Sequence, residues 1–231
     1  MYYKKWKPIY KLIIRDLNFN AEDDKKTARI LNIYLEKKKK LCSIKKIKNM
    51  INNHEIVIFG AGPSLKNSIN KHQKIFVDKI KIAADGATTA LLENNISPDI
   101  IVTDLDGKIS DQIMLSSMGA ITVLHAHGNN FNKIKKYIEK FDGDLLGTTQ
   151  IDPRPYYNLH NFGGFTDGDR AVFLADHFHA KKIYLIGFDF NGEIGKYSFA
   201  KNKDKKLKRK KLFWCKYLID ELSKQNDIQY L

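Results

Sequence analysis

Three carboxylate-bearing segments and one glycine turn hold the residues best suited to chemistry: AADG at 83–86, PDIIVTDLDG at 98–107, GFTDGDR at 164–170 and GAGPSL at 60–65. Asp-x-Asp at the end of an apolar strand sets Asp104 and Asp106 on one face, about 7 Å apart along the backbone, with Leu105 pointing the other way. Two convergent carboxylates suit Mg²⁺, which takes oxygen ligands and usually needs one or two from protein when it bridges substrate phosphates. A carboxylate at the end of an otherwise apolar strand is also costly to bury without a partner, so metal coordination by Asp104 and Asp106 is the expectation, against a solvated turn closed by Asp106-Gly107. Taken together, these segments read as a nucleotide-phosphate site with metal ligands.

The other motifs each admit a chemical and a structural reading. Gly60-Ala61-Gly62-Pro63-Ser64 follows an apolar strand and opens a helix, so its glycines let a phosphate approach the free N–H groups of the first turn. It lacks the third glycine of GxGxxG and the lysine of a P-loop, and the alternative is a tight turn with Ser64 as cap. Asp85-Gly86 could bind a ribose, an amine or the metal, or Asp85 could cap the helix after it. In HAHGNN, at 125–130, His125 and His127 share a strand face, but no third soft ligand is suitably spaced for zinc. Donation to phosphate or to a heteroaromatic substrate is expected instead, with backbone-bonded structural histidines as the alternative. In GFTDGDR, Phe165 can stack on a planar ring, Asp167 or Asp169 can accept from an amino-pyrimidine edge, and Arg170 can bind phosphate. The alternative is a loop with Thr166 or Asp167 as N-cap. Asp189 of GFDF adds one more strand-end carboxylate.

These residues need a scaffold that brings strand ends together. EIVIFG (55–60), KIKIAAD (79–85), DIIVTD (99–104), AITVLHA (120–126), DLLGTT (144–149) and KKIYLIGFDF (181–190) are short β-rich runs separated by helix-length stretches. That alternation predicts an α/β fold, a mostly parallel, doubly wound, Rossmann-like sheet whose ligands lie outside the carboxyl ends of the strands. Residues 1–52 read as an N-terminal helical subdomain, with Ile9, Leu12, Ile13, Leu17 and then Ala28, Leu31, Leu35 at helical spacing, and 53–231 as the α/β domain. Residues 191–206 form a polar, Lys-rich loop, either a lid or an unstructured insertion. A helix follows, with Leu212, Phe213, Tyr217, Leu218 and Leu222 on one face.

The formal net charge of +14 is carried entirely by two runs, KKKKLCSIKKIK (37–48) and KNKDKKLKRKK (201–211). Lysine outnumbers arginine 35 to 5, whereas base reading favours arginine, so solvated helix faces are expected and nucleic acid is an unlikely partner. No apolar run approaches the roughly 20 residues of a membrane span, and no cleavable leader is evident, so a cytoplasmic protein without a membrane partner is expected. Cys42 and Cys215 suggest neither a zinc site nor a disulfide framework.

Read in order, FGAGPSL, ADGATTALLENNISPDIIVTDLDG, HAHGNN, GGFTDGDRA and IGFDF resemble the archaeal 6-hydroxymethyl-7,8-dihydropterin pyrophosphokinase (MptE-like) family over roughly residues 55–190. The N-terminal helices, with Trp6, Pro8 and Tyr10, look like that family too, and the ADG and DxD stretch is similar to thiamine pyrophosphokinases. The resemblance implies transfer of diphosphate from ATP to the hydroxymethyl group of a dihydropterin, giving AMP and a pterin diphosphate for methanopterin- or folate-type cofactors. It implies Mg²⁺ on Asp104 and Asp106 with Asp85 beside them, and phosphate near Gly60, Gly62 and Ser64. Within that scheme His125, His127, Asn129 and Arg170 would stabilise charge, while Phe165 and Asp167 would hold the pterin. Asn129 departs from the family, which usually has Asp there, so Asp85 or Asp189 would have to compensate. A thiamine pyrophosphokinase, a nucleotide-sugar glycosyltransferase and, outside the enzymes, a nucleic-acid-binding module are the alternatives; self-association into a homo-oligomer is left open.

Overall fold

A chain that alternates β-rich apolar runs with helix-length stretches must cross over between parallel strands, and this one does so throughout. The computed structural model describes residues 3–128, 130–191, 194–199 and 205–231. Its strands are β1 (Glu55–Phe59), β2 (Ile80–Ala84), β3 (Ile100–Thr103), β4 (Ile121–Ala126), β5 (Leu145–Thr149), β6 (Leu159–His160), β7 (Lys182–Ile186) and β8 (Ile228–Tyr230). They form one sheet of order β6-β5-β4-β3-β2-β1-β7-β8 in which every pairing is parallel. All six expected strands are present. The short edge strands β6 and β8 are additions, too brief to leave a periodic trace in sequence.

The helices are α1 (Tyr3–Asp16), α2 (Ala21–Glu36), α3 (Ile44–Ile51), α4 (Leu65–Phe76), α5 (Ala87–Glu93), α6 (Ile109–Ser117), α7 (Phe131–Tyr137), α8 (Asp167–His177) and α9 (Lys205–Ser223). They cover both faces of the sheet, so neighbouring residues of a strand enter different cores. Ile56 and Ile58 pack with Ile47 of α3, Val172 of α8 and Ile219 of α9. Val57 and Phe59 pack with Leu65 of α4 and Leu91 of α5. Strands β1 to β6 step one way across the sheet, and the chain then returns to lay β7 on the far side of β1. This reversal opens a crevice beyond the carboxyl ends of β1 and β7, where ligands of such sheets bind.

The first helices share a core with the sheet. Trp6, Tyr10 and Ile13 of α1 and Ala28, Leu31 and Leu35 of α2 belong to one cluster with Leu124 of β4, Leu145 of β5 and Phe173 of α8. The buried stripe of α1 runs through Trp6, Tyr10 and Ile13 and continues to Leu17 just past the helix, whereas Leu12, expected on it, is 47% exposed. The α9 stripe differs in the same way: Cys215, Leu218 and Ile219 are buried, while Phe213 and Tyr217 face solvent. Part of each expected stripe is buried, Ile13 and Leu17 in the first case and Leu218 in the second, and the buried face is centred to one side of the rest. No helix among the described residues is long and apolar enough to cross a membrane. Part of the predicted 191–206 loop lies outside the described residues.

Trp6 is fully buried, and its Nε1 donates to the Gln150 carbonyl across the chain, 2.8 Å away. Trp6→Ala should cost about 3–5 kcal/mol in urea unfolding. A loss under about 1 kcal/mol would show that α1 is not part of the cooperative core.

Candidate functional site

Where β1 and β7 end, two loops meet so closely that glycine is required. Gly62 N donates to the Gly187 carbonyl at 2.9 Å, and a Cβ on Gly62 would come within 2.6 Å of that carbonyl oxygen and 2.2 Å of Asp189 Oδ2. Asp189 Oδ2 in turn accepts from Ser64 N at 2.9 Å and Ser64 Oγ at 2.8 Å. The turn expected to cradle phosphate is therefore capped by the protein's own carboxylate. Gly60 and Gly62 still line the cavity, whereas Ser64 gives both its N–H and its hydroxyl to Asp189, which ties the two loops together.

At the ends of β2 and β3 the sequence expectation needs correcting. Strand β3 stops at Thr103, and Leu105 adopts φ +67°, so Asp104 and Asp106 do not share a strand face. Asp106 turns to Lys133 of α7, 2.5 Å away, while Asp104 turns inward to His127. Asp85 also takes a left-handed backbone, φ +43°, which aims its carboxylate back across the sheet end. Its Oδ1 accepts from Thr103 Oγ1 (2.8 Å), Gly107 N (2.9 Å) and Gln112 Nε2 (3.0 Å). Gly86 opens α5 at the cavity wall, and a Cβ there would strike the Tyr197 carbonyl at 1.7 Å.

Beyond β4 the two histidines separate in role. His127 lines the cavity and places Nε2 2.8 Å from Asp104 Oδ2, where it donates to the ionised carboxylate. Burial opposes ionisation of Asp104, but the His127 hydrogen bond and the surrounding positive charges outweigh it and hold the carboxyl well below its usual range. His125 lies outside the cavity lining, buried, with Nδ1 3.0 Å from Thr148 Oγ1. Burial, then the charges of Arg170 and His127, push its pKa well below the ordinary value, which leaves it neutral within the core. Asn129 lies outside the described residues. Its neighbour Asn130 is the bracket of this corner, donating from Nδ2 to the carbonyls of Asp104 (3.0 Å) and His125 (2.9 Å).

The N-terminus of α8 completes the cluster. Thr166 and Asp169 form a capping box, Asp169 accepting from Phe165 N at 2.6 Å and Thr166 N at 2.7 Å, so Asp169 is fully buried in a structural role and cannot read a substrate edge. Asp167, two residues earlier, lines the cavity and pairs with Arg170 Nη1 at 3.0 Å. Oxygens of Asp85, Asp104 and Asp167 all lie within 4.8 Å of one another. Burial, then the Asp104 charge, raise the Asp85 pKa to about 6, and the same two causes raise that of Asp167 well above the carboxylate norm. Three convergent carboxylates that repel one another match the needs of a hard divalent cation bound through oxygen. The group the structure gathers thus exchanges Asp106 for Asp167.

Arg170, expected as a phosphate ligand, is anchored on both terminal nitrogens, to Asp167 and, at 3.2 Å, to Gln150 Oε1. Gln150 Nε2 donates to Asp24 of α2 at 2.8 Å, and Asp24 also takes the Tyr10 hydroxyl and Gly128 N. A buried polar chain therefore links the N-terminal helices to the carboxylate cluster. Sequence reading missed Asp24, Gln112 and Gln150, because isolated polar residues inside helices or just past strands carry no motif, and it gave no role to Asn130, whose side chain turns back to two backbone carbonyls. The cavity holds about 340 Å³, and aromatic side chains wall it: Phe165, stacked on Phe19 at 6.3 Å, together with Phe188 and Phe190 on either side of Asp189. Lys208 and Lys211 of α9 line it too.

A family model described as 6-hydroxymethylpterin diphosphokinase MptE-like matches residues 32–194. A Pyrococcus furiosus protein named 6-hydroxymethyl-7,8-dihydropterin pyrophosphokinase is 42% identical over 227 residues, covering 96% of this chain and 94% of its own. A Methanocaldococcus jannaschii protein of the same name is 43% identical, covering 99% of this chain and 98% of its own. Among solved structures, the MAf glycosyltransferase from Magnetospirillum magneticum AMB-1 aligns over 74% of this chain and 28% of that chain with TM-score 0.40 and 16% identity, too distant to bear on function. The near full-length agreement with the archaeal proteins decides the matter: the chain belongs to the MptE-like 6-hydroxymethylpterin diphosphokinase family.

Proposed function

We propose that the protein transfers diphosphate from ATP to the hydroxymethyl group of 6-hydroxymethyl-7,8-dihydropterin, releasing AMP and the pterin diphosphate. The observation that carries this reading is the convergence of Asp85, Asp104 and Asp167 at the floor of an aromatic-walled cavity, in a chain whose full-length relatives bear the name of that activity. Asp85, Asp104 and Asp167 would hold Mg²⁺, which when bound neutralises charge on phosphate oxygens.

The chain's own residues supply positioning, which dominates phosphoryl transfer. His127 fixes the orientation of Asp104, and the hydrogen bonds to Thr103, Gly107 and Gln112 fix that of Asp85. Arg170 offsets the charge of Asp167 and lines the cavity beside it. Phe165, Phe188 and Phe190 supply apolar surface for a planar ring and keep water from the reacting oxygen. Asp106, paired with Lys133, stays at the cavity wall outside the converging set.

Mass spectrometry of a reaction with ATP, Mg²⁺ and the dihydropterin should show pterin diphosphate and AMP in equal amounts, with turnover reduced at least about a thousandfold in Asp104→Asn, a size typical of lost charge stabilisation. A folded wild-type protein that leaves the pterin unchanged would refute the reading.

The raised Asp85 pKa sets a pH dependence. The folded group holds its proton to about pH 6, above the ordinary carboxylate range, so without a cation the stability linked to it is full at low pH and is lost as pH rises through about 6. Cation binding displaces that proton. Thermal stabilisation by saturating Mg²⁺, about 2.7 kcal/mol at a hundredfold excess over Kd, should therefore appear above pH 6 and fade by pH 5, and Asp167→Asn should weaken it. Stabilisation independent of both pH and Asp167 would contradict this.

A further inference from the structure

The second lysine run divides into faces once α9 is in place. Lys205 and Arg209 are exposed, Lys210 is bound to Asp16 at 2.8 Å, and Lys208 and Lys211 are half-buried and line the cavity. The cavity-facing positions are Leu207, Lys208, Lys211, Leu212 and Cys215, the three- and four-residue spacing of a single helical stripe. Two of the run's cations are thus built into the site, while Lys205 and Arg209 face solvent and Lys210 serves a neighbouring helix.

The cavity needs them. Five carboxylates line it, those of Asp85, Asp104, Asp106, Asp167 and Asp189, and a phosphate chain entering such a field is repelled unless cations offset it. Arg170 and Ser64, two of the groups first expected near phosphate, are held by Asp167 and Gln150 and by Asp189, while Lys211 Nζ sits 5.6 Å from the centre of the Phe19 ring. Lys211 lies within electrostatic reach of Asp104. Lys208 Nζ is 3.2 Å from Ser198 Oγ, which also borders the cavity.

We propose that Lys208 and Lys211 bind the phosphate chain of the donor nucleotide, holding it from α9 against the carboxylate cluster. This rests on the nucleotide-dependent reading above and extends it to the residues that hold the donor. Two lysine contacts to phosphate replaced by neutral amides should weaken binding at least about tenfold.

Calorimetric titration of the full chain with ATP, inorganic triphosphate and adenosine, each with Mg²⁺, tests it. Lys208→Gln/Lys211→Gln should bind ATP and triphosphate at least about tenfold more weakly, with adenosine affinity and thermal midpoint unchanged. Lys208→Arg/Lys211→Arg should restore most of the affinity. Lys205→Gln/Arg209→Gln, which removes the same charge from the exposed face, should bind as wild type. Equal weakening by the exposed-face pair, no weakening by Lys208→Gln/Lys211→Gln, or no triphosphate binding by the wild type would each overturn the assignment. Pterin turnover is scored separately: intact lysine-dependent triphosphate binding without turnover would overturn the reaction and leave this assignment standing.

Discussion

Three carboxylates held within 4.8 Å of one another, in a place largely withdrawn from water, are the constraint around which this molecule is built. Like charges at that separation repel strongly once the local dielectric falls, and burial alone already disfavours each anion. The protein meets this with specific donors: three on a single oxygen of Asp85, His127 on Asp104 and Arg170 on Asp167. Even so, burial and mutual repulsion leave Asp85 and Asp167 reluctant to ionise.

Maintaining that geometry requires rigid supports on every side. Parallel strands deliver Asp85, Asp104 and His127 side by side beyond β2, β3 and β4, and α8 brings Asp167 and Arg170 over the same edge. Left-handed backbone at Asp85 and Leu105 turns the first two carboxylates inward, a strain that the surrounding hydrogen bonds hold in place. The N-terminal helices take part through Asp24, which holds Gly128 beside the histidine loop and steadies Arg170 through Gln150. A buried polar network of this kind ties the N-terminal helices to one arrangement of the site.

Much of this was legible in the sequence, and the limits have physical causes. Alternating apolar runs gave the six principal strands and the crevice at their ends, since parallel strands buried on both faces leave a strong signal. The strand-end carboxylates stood out because a charge next to an apolar run needs a partner. What sequence could not show is which way a side chain turns after the strand stops: a positive φ at Leu105 sent Asp106 to Lys133 and let Asp167 take the place expected for it. Nor could local pattern reveal that Asp189 would cap the glycine turn, a contact spanning 125 residues. The lysine run looked like a solvated face, and only the phase of α9 shows that two of its members line the cavity.

The most direct test of the central claim is a crystal structure of the protein soaked in Mn²⁺, with the ion located by anomalous scattering. This account places it on oxygens of Asp85, Asp104 and Asp167, with Asp106 still paired to Lys133. An ion bound through Asp104 and Asp106, or no ion at the cluster, would contradict it.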